Sequence, residues 1–240
     1  GHRSPVTSYK RIVKIFGKKI LKKNKEIDRK KLAAIVFSAS GGKNKYGDLL
    51  AELRGSNQMI AFVGPSAVGK TYWIERLMQE HPEKLRRVKN TTTRPPRDDN
   101  DERYYNIIGA DRFLEGIDNQ EFLEHDQYLG HYYGSSLAEI KNTLRSHNGI
   151  FAVTPKGAAE LYKCRFEINV LIVLLKPAGE AVLEKNFDRR NEKNLAKRAE
   201  SIKKAKDFIL PPHVDHSVLE LTGTKTDEER VFSLINSLLK

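Results

Sequence analysis

The stretch Met59–Trp73 reads MIAFVGPSAVGKTYW. Within it Gly64, Pro65, Ser66, Ala67, Val68, Gly69, Lys70 and Thr71 satisfy G-x-x-x-x-G-K-[ST], with Tyr72 directly after. The spacing has a physical reason. Small residues let successive backbone N–H groups turn inward around a phosphate, and a helix starting there adds its positive end. Lys70 can reach the β- and γ-phosphates of ATP, while the Thr71 hydroxyl can ligate the accompanying Mg²⁺. An ordinary glycine turn before a helix is the plainer alternative. The apolar run ahead of the turn and the helical pattern behind it favour a nucleotide loop. The motif leaves the acceptor unnamed, because kinases, GTPases and motor ATPases share it.

A second set of residues narrows the acceptor. TTTRPPRDDNDERYYN places Arg94 and Arg97 three apart, with Tyr105 eight beyond Arg97. EFLEHDQYLGHYYGSS follows, carrying Glu124, Tyr133 and Ser135. Two guanidinium forks and two phenols suit a phosphate dianion. A carboxylate such as Glu124 can accept from guanine N1–H and its exocyclic amine, and Ser135 can donate to O6. Adenine lacks the N1–H, so the arrangement discriminates. Taken singly, RPPRDDNDER is an ordinary solvated turn and YYG an ordinary strand. Their joint order carries the functional reading.

GPSAVGKT, TTTRPPR, DERYYN, EFLEH and YYGSS, in this order and spacing, resemble the guanylate kinase family over about residues 58–240. The resemblance implies a P-loop nucleoside monophosphate kinase fold that moves the γ-phosphoryl group of ATP to GMP with Mg²⁺. It implies that Arg94, Arg97, Tyr105 and Tyr133 hold the GMP phosphate and that Asn90, Glu124 and Ser135 face guanine, although serine is usual at position 90. DRRNEKNLAKR is similar to the family's lid, so Arg189 or Arg190, together with Arg198, is expected to bridge the two phosphate groups.

The chain departs from the family at one place above all. An Asp-x-Asp followed by Gln-Gly is usual at the end of the third core strand, where the first acid supports Mg²⁺. FAVTPKG stands here, with Ala152 and Thr154 at the acids and Lys156 at the glutamine. Thr154 can keep a hydrogen bond to the base but brings no charge. Ala67 replaces a usual loop glycine, and Glu220 in VDHSVLEL replaces an asparagine usual near adenine. Two further readings follow: a kinase of this fold acting on another phosphorylated acceptor, as a ribose-bisphosphate kinase relative does without the paired acids, or a binding module impaired in catalysis. The intact Gly64–Thr71 loop argues against the module, because scaffold relatives tend to lose it.

These residues need a scaffold. MIAFV, RRVKN, GIFAV, INVLIVLL and HSVLEL read as strands. Helical patterns begin near Lys70, Leu137, Lys156, Glu180, Lys193 and Asp227. That alternation predicts a parallel core sheet flanked by helices on both faces. Residues 89–136 read as short aromatic-rich strands with charged turns, forming a small mixed β GMP-binding subdomain, and residues 187–206 as a helical lid.

Charge divides the chain. Its formal net charge is +12, yet residues 1–55 hold 15 Lys/Arg against 4 Asp/Glu, and the rest is nearly balanced. The division predicts a basic helical extension over 1–55 and a kinase-like domain over 56–240. SYKRIVKIFGKKILKK has the form of a basic amphipathic helix, and a second helix starts from Asp28. Residues 5–40 locally resemble a fragment of dephospho-coenzyme A kinase, without that family's phosphate loop or catalytic Asp, which implies shared ancestry and no second activity. The extension is expected to pack as a helical hairpin. Weak contact with nucleic acid or an acidic surface is the other reading, though few aromatics stand ready to stack bases. INVLIVLL is too short to span a bilayer, and no secretory signal pattern opens the chain, whose Gly1-His2 start has the form of a cloning remnant. The single cysteine, Cys164, excludes an internal disulfide and fits a cytoplasmic location. Oligomeric state has no signal in the sequence.

Overall fold

Alternate residues of MIAFV end on opposite faces of one sheet, as the two-residue period of a strand requires. Met59, Ala61 and Val63 join one apolar cluster, while Ile60 and Phe62 join the other. All five are fully buried. The computed structural model describes residues 50, 53, 57–96, 101–128, 130–165, 167–189, 192–206 and 208–239. The helices expected before position 50 lie outside those residues, as do Arg97 and Arg190. Leu50 and Leu53 are described, and both are buried in the first cluster.

The core sheet has five strands: β1 (Met59–Val63), β2 (Leu85–Arg87), β7 (Asn148–Ala152), β8 (Val170–Pro177) and β9 (Ser217–Leu221). Their spatial order is β2-β7-β1-β8-β9 and every pairing is parallel. Parallel neighbours need crossover helices, and these cover both faces. Helix α1 (Lys70–Glu80) lays Trp73, Ile74 and Leu77 on one face, joined there by Val231 and Ile235 of α7 (Thr226–Leu238). Helix α4 (Pro155–Lys163) covers the other with Ala158 and Leu161. Each large apolar side chain so buried contributes about 1.5–3 kcal/mol.

A second sheet stands over the carboxyl ends of the core strands. It comprises β3 (Asn90–Thr92), β4 (Tyr105–Ile107), β5 (Phe122–Tyr128) and β6 (His131–Ser136), in the order β4-β3-β6-β5. The pairing is mixed: β3 with β4 is parallel, the others antiparallel. RRVKN, expected as one strand, is divided. β2 stays in the core sheet, and after Val88-Lys89 the chain enters the second sheet as β3.

The expectation of strands and turns alone over 89–136 is corrected by helix α2 (Ala110–Asp118). Its Phe113 stacks on Phe122 and Tyr132, so the aromatics of that region serve a helix–sheet core. Helix α3 (Leu137–Leu144) leads back to β7. On the far side lie α5 (Glu180–Arg189) and α6 (Leu195–Lys206). No helix among the described residues is long and apolar enough to cross a membrane.

Candidate active site

The phosphate loop leaves the end of β1 and closes into α1. Gly64 is required by contact, since a Cβ there would lie 2.6 Å from the Leu175 carbonyl oxygen. Gly69, the residue capping α1, has φ +103, a left-handed conformation that favours glycine. Ala67 also sits in the left-handed region, at φ 62, where its Cβ costs of order 1 kcal/mol. Asn186 of α5 donates to the Ala67 carbonyl at 2.8 Å and ties that helix to the loop. Lys70 Nζ donates to the carbonyls of Gly64 (2.7 Å) and Pro65 (2.9 Å). The lysine therefore folds back over the loop it is to serve.

Beside the loop a pocket of about 180 Å³ opens between the two sheets. Ser66, Lys70 and Thr71 form its core-side wall, and Asn90, Tyr105, Glu124 and Tyr133 its far side. Thr154 and Ala152, at the end of β7, close the floor. The register of β5 against β6 shifts between Phe122 and Glu124, which sets Glu124 opposite Ser135. Ser135 Oγ donates to Glu124 Oε1 at 2.5 Å and accepts from Asn90 Nδ2 at 3.1 Å. Glu124 is 4% exposed. Burial pushes its carboxyl up from 4.5 to about 7, against the Ser135 hydrogen bond and Lys156, with the charges of Asp126 and Glu160 adding to the rise. Gly157 was not foreseen as a site residue. A Cβ there would sit 2.4 Å from Glu124 Oε2, so only glycine lets the carboxylate lie against α4. The signal available was the Gly that follows the family's glutamine.

Thr154 caps α4, its Oγ1 accepting from Gly157 N at 3.0 Å. Lys156 faces outward and pairs with Asp126 at 3.7 Å.

On the other side of the loop lies a larger cleft of about 1110 Å³. Ser66, Gly69, Thr71 and Tyr72 border it, as do Arg189 and Lys197 from the lid side. Ser66, Thr71 and Tyr105 line both cavities. Glu220 is exposed on β9, and the cleft is lined instead by the adjacent Leu221, with Gly223 and Thr224.

Two expected arginines are engaged elsewhere. Arg94 binds Asp101 at 2.9 Å in a buried ion pair and lies 5.2 Å from the centre of the Tyr105 ring, bordering neither cavity. Arg198 is held by Asp188 (2.7 Å), Glu184 (3.5 Å) and the Glu192 carbonyl (2.6 Å).

The donor set bears on Mg²⁺. Among the described residues no group of three or more His, Cys, Asp or Glu is arranged to hold a metal, and Ala152 presents a methyl group where the family carries an acid. Mg²⁺ commonly keeps several waters and binds through substrate phosphates with few protein ligands. The Thr71 hydroxyl, open to both cavities, fits a metal that arrives on the nucleotide.

A phosphate loop that follows the central strand of a parallel sheet and borders a second pocket fits the P-loop mononucleotide kinase fold. Comparison narrows the class. The sequence profile of the guanylate kinase family matches residues 56–219, and the chain belongs to that family. It is 29% identical over 178 residues to the guanylate kinase of Prochlorococcus marinus subsp. pastoris, covering 70% of this chain and 97% of that protein. Over 163 residues it is 31% identical to the guanylate kinase of Trichormus variabilis, covering 65% and 81%. The crystal structure of guanylate kinase from Anaplasma phagocytophilum shares the fold, with a TM-score of 0.51 and 17% identity over 77% of this chain and 86% of that one.

Proposed function

We propose that this chain catalyses ATP + GMP → ADP + GDP. The observation that carries the reading is buried Glu124, tied through fully buried Ser135 to Asn90, with Glu124 and Asn90 lining a pocket whose opposite wall is the phosphate loop. In this reading Glu124 accepts from guanine N1–H and the exocyclic amine, Ser135 serves O6, and Asn90 and Thr154 complete the base site. Tyr105, Tyr133, Arg94 and Arg97 hold the GMP phosphate, with 89–136 as acceptor subdomain. Residues 64–72 hold the ATP phosphates.

Phosphoryl transfer rests on positioning and charge neutralisation. Lys70 leaves the loop carbonyls for the β- and γ-phosphate oxygens. The lid of residues 187–206 brings Arg189 or Arg190, and Arg198, to the bridging oxygens. A phosphate competes with Asp188 and Glu184 for Arg198. Thr71 would help to hold Mg²⁺, which would offset phosphate charge when bound. The acceptor is already an anion, so no general base is needed, and closure excludes water that would otherwise take the phosphoryl group. A panel of nucleoside monophosphates with ATP and Mg²⁺ tests the reading. GMP is expected to be used far better than AMP, and Glu124→Ala to abolish the preference. Equal use of AMP and GMP by the unmodified protein overturns it.

A further inference from the structure

At the edge of the larger cleft, which Glu75 and Tyr104 help to line, three side chains meet where α1, β2 and the approach to β4 converge. Tyr104 stands directly before Tyr105, the phenol that borders both cavities. Its hydroxyl donates to Glu75 on α1, the helix that begins at the phosphate loop. The Arg87 guanidinium, on β2, lies 4.6 Å from the centre of the Tyr104 ring. Burial holds Arg87 below the usual arginine range, opposed by Glu75, Tyr105 and Tyr104. The Glu75 hydrogen bond, with burial and the Glu75 charge, raises Tyr104 and keeps its proton in place.

The need for such an anchor is visible in the backbone. Strand β4 has three residues and lies at the edge of its sheet, paired only with β3. So short an edge strand fixes its side chains weakly. The residues before it are tied on two sides. Asp101 binds Arg94 within the acceptor subdomain, and the Glu102 carbonyl accepts from Lys89 at 3.0 Å. Tyr104 binds the core through Glu75 and Arg87.

We propose that Tyr104, clamped by Glu75 and Arg87, is a positioning residue for the acceptor: it presets Tyr105 in the wall between the two cavities and couples that wall to the helix of the phosphate loop. The inference rests on the reading of the small pocket as the GMP site.

The test uses the full chain with Tyr104→Phe, Glu75→Ala, which removes the acceptor outright, and the double variant. Phenylalanine keeps the ring over Arg87, so only the hydroxyl bond is lost. KM for GMP is expected to rise roughly tenfold in each single variant, the worth of one hydrogen bond, with kcat and KM for ATP within about twofold. The double variant should match the singles, since both remove one interaction. An unchanged KM for GMP, or equal rises in both KM values, overturns the proposal. A second measurement needs no acceptor: amide exchange in the ligand-free protein. Exchange at Tyr105–Ile107 should quicken in Tyr104→Phe while β1 and α1 keep their protection, and unchanged exchange there overturns the clamp. If the unmodified protein leaves GMP untouched, the proposed function fails, and exchange still decides whether Tyr104 holds β4.

Discussion

The ends of β1 and β7 lie side by side, Phe62 opposite Ala152, and offer a phosphate opposite things. The first opens into a complete phosphate loop with a lysine and a hydroxyl in place. The second ends in Ala152, Val153 and Thr154, with no ionisable group before Lys156. Binding elements and charge-supporting elements have therefore separated between neighbouring strands. In the proposed mechanism a nucleotide is still cradled, and the charge that develops during transfer is met by Lys70, the arginines of 187–206 and the nucleotide's own metal. The contrast predicts that changes at β1 remove catalysis and changes at β7 can add to it.

Lys70→Ala gives the largest effect. Loss of one preorganised charge on the transferring group is expected to lower kcat about a thousandfold, measured in a coupled ADP-release assay. An unchanged rate would remove β1 from the chemistry. Glu124→Gln comes next. A hydrogen bond to a charged acceptor is worth about 1.5–3 kcal/mol, so kcat/KM for GMP should fall on the order of a hundredfold while use of AMP changes little. Ala152→Asp should move the other way, raising kcat about tenfold for roughly 1.4 kcal/mol of added charge support. Magnesium titrations of both proteins would read it, and no gain would mean that the two strand ends are not complementary.

The smallest effect is graded by pH. The Glu124 carboxyl titrates near pH 7 in the folded, ligand-free protein, against 4.5 ordinarily. In the proposed reading guanine is held by the ionised form, so affinity for GMP should fall as pH drops below about 7, tenfold per unit at the limit. Stability moves oppositely. The folded state holds this proton more tightly than the unfolded chain. Its contribution is full below about 4.5 and is lost as pH rises through about 7, about 3 kcal/mol in all. Glu124→Gln should flatten both profiles in GMP calorimetry and in denaturant titrations.

Much of the core was legible in advance because its signals are local. MIAFV alternates by two, the loop follows a fixed spacing, and Trp73, Ile74 and Leu77 repeat at helical intervals. Helix α2 was missed because Phe113, Phe122 and Tyr132 resemble strand aromatics until the fold stacks them. The contact between Gly157 and Glu124 joins residues distant in sequence, and no spacing rule reports it. Arg94 meets Asp101 at the start of a short 3-10 helix, a pairing that no sequence periodicity announces.

One wall has a pharmacological consequence. Ser66, Thr71 and Tyr105 face both cavities, so these three side chains form a shared wall across which the compartments lie close together. A single molecule that joins two nucleosides through an oligophosphate bridge of suitable length can occupy both at once. Its second half then docks at the high effective concentration that tethering confers, and avidity can exceed either half alone by about a hundredfold or more. The bridge would be gripped along the phosphate loop itself, which makes its length the first variable for an inhibitor chemist to tune.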